Sequence, residues 1–296
     1  MGTALAVNGQ RRGQMAGILK TELWKARHNR LFILALTVGL TIALFHAKET
    51  ASMVQEARYY NLELGLGGGP DPCSLFLYWM PFTGYTYSSF LFYELWPLLA
   101  AIPFSWSYSQ DRCNGYYFQT ISRVKKTTWF HAKFLAIFIS GGVVTAIPLV
   151  VCLLAQATFA PAIPIQYNMM QVIGLSNVDF LAWLYYTHPW IYCVCWCGIQ
   201  FLFGGTAAVT VFLFGSKLRF VPLAILLPYG LFYCLAALGT AFRSFVNVTV
   251  ETNILHAAMA TPLNHNPGWM IFSYIGILTC ISYLVGFFQV VHHDLL

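Results

Sequence analysis

Charge is scarce in this sequence: Asp, Glu, Lys and Arg make up 9% of its 296 residues, where soluble domains carry about a quarter. That scarcity argues against a soluble fold, and 58% hydrophobic residues with a mean hydropathy of +0.63 mark an integral membrane protein. There is no G-x-x-x-x-G-K-[ST] run, so the chain is not expected to hold nucleotide phosphates in a loop of that type. There is no H-E-x-x-H and no G-x-S-x-G, and no enzymatic role is expected of the chain by itself. The cysteines fall mostly inside apolar runs, where they act as small hydrophobes, and imply no disulfide framework. The opening MGTALAVNGQRRGQ lacks the apolar core of a cleaved signal, so the first span is expected to remain in the mature protein. His292, His293 and Asp294 read as a solvated tail, and the net charge of +6 is better explained by membrane topology than by nucleic acid.

What the chain does have is six apolar runs, at about 31–47, 89–109, 132–155, 189–214, 221–242 and 269–291. Each is close to the ~20 residues that cross a bilayer. The expected fold is all-α and polytopic: a cytoplasmic tail and interfacial amphipathic helix in residues 1–30, then a domain of six transmembrane helices over 31–296. Arg11, Arg12, Lys20, Lys25, Arg27 and Arg30 precede span 1; Arg112, Arg123, Lys125, Lys126 and Lys133 lie between spans 2 and 3; Lys217 and Arg219 join spans 4 and 5. Only Lys48, Arg58 and Arg243 fall on the other side, so the positive-inside rule places both termini in the cytoplasm of a plasma membrane.

Residues 15–30 set Met15, Ile18, Leu19, Leu23 and Ala26 along one helical stripe, with Trp24 beside it and Lys20, Lys25 and Arg27 elsewhere on the cylinder. This pattern suits a helix lying in the membrane interface on lipid headgroups, or a basic flank that only sets topology. On the far side, residues 48–88 read as the longest loop, helical at first and then broken by GLGGGPDP. Residues 178–190 are rich in Trp and Tyr and read as interfacial, and 244–268 is apolar enough to dip into the membrane where protein satisfies its backbone.

The stretch DRCNGYYFQTISRVKKTTWFHAK, residues 111–133, gathers charge between two apolar runs. A turn made only to reverse the chain needs about four to six residues; this loop, 110–131, is several times longer and amphipathic. Its Asp111, Gly115, Ile121, Ser122, Arg123 and Lys133 resemble the first cytoplasmic loop of the type-2, six-span permease subunits of bacterial ATP-binding-cassette exporters. The match departs in the RCN between Asp111 and Gly115 and in Tyr116, where many members carry Glu followed by Gly-Thr. The resemblance implies that Asp111, Gly115, Ile121, Arg123, Lys125, Lys126 and Lys133 form a coupling segment docking on separate ATPase subunits. It implies further that Ile18, Leu19, Leu23 and Trp24 touch the same partner. ATP and Mg would then be bound by that partner and no cofactor by this chain, which would work with a second copy or a homologous permease.

Within the spans, Glu94 in FYELWPLL is an ionisable group in an apolar run, flanked by Trp96 and Pro97. It faces either a substrate pathway or, by snorkelling, the outer headgroups. Cys193, Cys195 and Cys197 form either a soft-metal ladder with Met169, Met170 and Met259 or small packing residues, and packing is the preferred reading. A pathway rich in aromatics and poor in charge suits export of a hydrophobic or amphipathic substrate: a lipid-like molecule, drug or antimicrobial peptide. The competing readings are a non-transporting sensor or assembly factor and a soft-metal exporter.

Overall fold

The computed structural model describes residues 2–63, 74–163, 175–176, 178–214, 220–247, 249–260 and 265–292. In chain order the helices are α1 (Gly2–Arg27), α2 (Arg30–Glu63), α3 (Tyr87–Ala101), α4 (Ser107–Cys113), α5 (Tyr116–Ile121) and α6 (Lys126–Gln156). They continue with α7 (Ala182–Thr187), α8 (Pro189–Val209), α9 (Val211–Phe214), α10 (Val221–Val246), α11 (Ile254–Ala257) and α12 (Gly268–His292). Among the described residues the only extended pairing is a single bridge between Val250 and His265. Among the described residues, five helical stretches are long and apolar enough to cross a membrane: Arg30–Glu56, Lys126–Gln156, Pro189–Phe214, Pro222–Val246 and Gly268–Val291. The molecule is therefore an all-helical, membrane-spanning protein, as its composition requires.

The second apolar run differs from the single span expected over 89–109. Helix α3 stops at Ala101, residues 102–106 form turns, and α4 resumes at Ser107. The physical reason is Pro103, which has no N–H for the helical ladder and crowds the turn before it. Its carbonyl is instead taken by the side-chain amide of Asn29 at 3.0 Å, and the hydroxyl of Ser105 donates to the Ala208 carbonyl at 2.9 Å. Pro97, by contrast, lies inside α3 without interrupting it.

Helix α1 ends two residues before α2, and Asn29 Oδ1 caps α2 by accepting the Leu31 N–H at 3.1 Å. Ile18, Leu19, Leu23 and Ala26 pack with Tyr117, Trp129, Phe130 and Phe212, so the apolar stripe is a packing face of the bundle. Trp24 lies off that face, 62% exposed and stacked on His28 at 4.4 Å.

The centre of the bundle is the contact of α6 with α8, and small residues make it possible. A Cβ on Gly141 would stand 2.8 Å from the Gly204 carbonyl and 2.5 Å from Ala208 Cβ; one on Gly204 would stand 2.0 Å from Thr145 Oγ1. Without a hydrophobic drive between helices in lipid, such close approach supplies the packing that holds them together.

At the end of the bundle away from α1, two connections fold inward. The helix after Lys48 is the continuation of α2 to Glu63, while GLGGGPDP lies outside the described residues. Residues 74–86 then enter the core: Leu75, Phe76, Trp79, Met80 and Phe82 are buried, and Trp79 Nε1 donates to the Leu149 carbonyl at 3.1 Å. Beneath them, buried His46 bonds Ser88 Oγ at 2.9 Å and the Tyr78 carbonyl at 3.0 Å. The Glu49 carboxylate accepts the N–H groups of Tyr87 and Ser88, both at 3.2 Å, at the N-terminus of α3. Residues 254–260 are likewise buried apart from half-buried His256, with Trp196 Nε1 donating to the Ala258 carbonyl at 3.1 Å, whereas residues 244–247 of the same apolar segment are exposed.

Candidate functional site

The densest charge in the described structure lies at the α1 end, where α1, α4 and α6 meet. Lys133, about two turns into α6, is fully buried. Its ammonium donates to Glu22 Oε2 of α1 at 2.7 Å and to Asp111 Oδ2 of α4 at 2.5 Å. Lys25 closes the group, 3.0 Å from Glu22 Oε1 and with its Nζ 3.5 Å from the centre of the Tyr116 ring. Lys133 Nζ itself stands 4.5 Å from the centre of the Phe104 ring. Two ammoniums and two carboxylates thus balance, with aromatic faces taking part of the positive charge.

The two carboxyls differ in environment. Burial pushes both upward, but at Glu22 the ammoniums of Lys133 and Lys25 prevail and hold it below its ordinary 4.5. At Asp111 burial prevails over Lys133, and the group stands above its ordinary 3.8. Burial alone would lower Lys25, yet Tyr116 and Glu22 hold it above its ordinary 10.5. Beside this cluster opens a cleft of about 260 Å³ walled by Lys25, Asn29, Phe104, Trp106, Asp111 and Tyr116.

From that root the chain makes a short helical hairpin. Helix α4 ends at Cys113, and Gly115 takes a left-handed φ of 73°, which an L side chain rarely adopts, to start α5. Tyr117 is buried against Trp129 at 4.9 Å between ring centres, and Arg112 lies over the Tyr117 ring at 5.2 Å. Ile121 packs half-buried on the same cluster. The tip turns its other residues out: Phe118 is 58% exposed, and Arg123 and Lys125 are exposed, while Lys126 is half-buried at the start of α6.

The structure therefore joins Asp111 and Lys133 through their ion pair, packs Ile121 in one cluster with Ile18, Leu19 and Leu23, sets Gly115 at the turn from α4 to α5, and leaves Arg123, Lys125 and Trp24 exposed. Lys217 and Arg219 lie outside the described residues. Sequence reasoning missed Glu22 and Lys25 as members. The available signal was Glu22 itself, the one acid before Glu49, set among six basic residues.

The intramembrane candidates separate. The Tyr233 hydroxyl of α10 donates to Glu94 Oε2, with both residues partly exposed. Trp96 is fully buried between Phe203 and Phe232, at 5.7 and 5.2 Å, and Pro97 is buried in α3, so both belong to the core. Cys193 is buried while Cys195 and Cys197 are half-buried, and among the described residues no three His, Cys, Asp or Glu side chains converge as metal ligands. Met169 and Met170 lie outside the described residues. Chemically, the junction supplies a charged fastening between three helices. No family model, curated protein or solved structure matches the chain.

Proposed function

We propose that the chain is the permease subunit of an ATP-driven exporter in a plasma membrane, moving a hydrophobic or amphipathic substrate outward with the help of a separate ATP-binding-cassette ATPase. In this reading α3 and α4 together make a sixth, broken crossing, both termini lie in the cytoplasm, and two permease copies, or this chain and a homologue, enclose the pathway. The observation that carries the reading is the hairpin α4–α5. Its root is fastened by Lys133 to α1 and α6, and its tip offers Phe118, Arg123 and Lys125 to a partner. A push on such a tip is delivered to α3 through α4 and to α6 directly, which is how a partner's movement becomes a tilt of spans. ATP and Mg belong to that partner.

The test is purification of the chain from its native membrane in mild detergent, with mass spectrometry and an ATPase assay of what accompanies it. A stoichiometric partner bearing a G-x-x-x-x-G-K-[ST] loop is expected. Recovery of the chain alone, or with a signalling protein, would replace the exporter by a sensor or assembly role.

A further inference from the structure

Glu94 is the centre of a site that the hairpin does not explain. It lies mid-way along α3, and the hydroxyl that reaches it belongs to Tyr233, near the midpoint of α10. A side chain level with the middle of a 26-residue helix is deep in the hydrocarbon, beyond easy reach of headgroups. Snorkelling therefore does not account for it. Among the described residues no Lys, Arg or His pairs with this carboxylate, and one phenol leaves most of its acceptor capacity unused. An acid at that depth without a counter-charge marks a functional position.

Its surroundings narrow the ligand. Tyr229 packs against Tyr233 with ring centres 4.7 Å apart, and Phe90, one turn before Glu94 on the same face of α3, is 50% exposed. Carboxylate and ring faces both attract positive charge, and the rings prefer a charge that is large and weakly hydrated. A metal ion would want several oxygen, nitrogen or sulfur ligands, and a lone carboxylate beside a phenol does not provide them. An anion would be repelled. We propose that the face where α3 meets α10, carrying Glu94, Tyr233, Tyr229 and Phe90, binds a lipophilic organic cation, with the carboxylate taking its charge and the rings flanking its apolar body. Only the role of that cation as cargo rests on the exporter reading; binding is a property of this chain.

The probe is radiolabelled tetraphenylphosphonium, titrated against the purified chain in lipid nanodiscs. Saturable binding near one per chain is expected, with affinity falling about tenfold or more in Glu94→Gln and recovering in Glu94→Asp. Tyr233→Phe should weaken binding by a few-fold. A neutral triphenyl compound should not compete, and unchanged thermal unfolding of each variant guards against misfolding. Uptake that only follows lipid content, or saturable binding unaltered in Glu94→Gln, overturns the site. So does efficient cross-linking of Phe90→Cys between two copies with the probe excluded, which would make this face a subunit interface. Glu94-dependent binding by a chain that recruits no ATPase would keep the site and discard the cargo role.

Discussion

Lys133 is the residue on which the junction depends, because its ammonium is the contact shared by carboxylates from two other helices, Glu22 and Asp111. Removing one partner of a buried ion group leaves the others uncompensated, which is worth roughly 3–5 kcal/mol in buried pairs, whereas replacing the whole group by apolar residues is often neutral. Lys133→Met should therefore lower the thermal unfolding temperature in detergent strongly, and the apolar triple change Glu22→Met, Asp111→Leu, Lys133→Met should recover much of the loss. An unfolding temperature equal to the wild type for the single variant would show that the charges are not buried together. The sequence made half of this group visible. Asp111 and Lys133 stand out by type and spacing along one loop, but Glu22 is 111 residues from Lys133, and no local periodicity reports a contact at that separation. Glu94 was visible as a charge in an apolar run, yet its place opposite the middle of α10 became clear only from its bond to Tyr233 on that helix.

At the scale of elements, hydropathy located the long apolar helices and missed how they close on each other. The run 89–109 is apolar throughout, so a window average reads straight through Pro103, although the backbone breaks there. Residues 74–86 looked like external loop because they lack a helical period, and their burial of Trp79 and Phe82 depends on tertiary contact with α6 and α7. The α6–α8 contact had a signal in the paired glycines 141–142 and 204–205. Their role separates from that of other helical glycines by space alone. Gly204→Ala would drive a methyl against Thr145 and the Gly141 carbonyl, whereas Gly198→Ala on the same helix meets nothing within 4 Å. The expected result is a loss of about 1–3 kcal/mol or more for Gly204→Ala and no loss for Gly198→Ala, whose helix propensity improves by up to about 1 kcal/mol. Thermal unfolding in detergent measures both. Equal behaviour of the two variants would show that α6 and α8 do not touch at Gly204.

For the whole molecule, the question is whether movement enters through the hairpin. The root and the tip of that hairpin are chemically distinct: the root is a neutralised ion cluster in contact with three helices, and the tip carries exposed Arg123 and Lys125 on a short turn after α5. A segment that served only to bind anionic headgroups would need the charge and not the rigid root. A lever needs both. Charge reversal of Arg123 and Lys125, with Lys126 in a further variant, leaves the Lys133 cluster intact, so the chain should insert, accumulate and unfold as the wild type does. On the proposed exporter reading, what should change is communication: ATP hydrolysis by the proposed ATPase partner should lose its response to substrate, or that partner should no longer be retained. Loss of the partner from the tip variants with normal folding would place the docking surface on residues 118–126. Undiminished, substrate-responsive hydrolysis would mean that force enters elsewhere, and the exposed face of α1 around Trp24, 62% exposed beside the same junction, would become the surface to vary next.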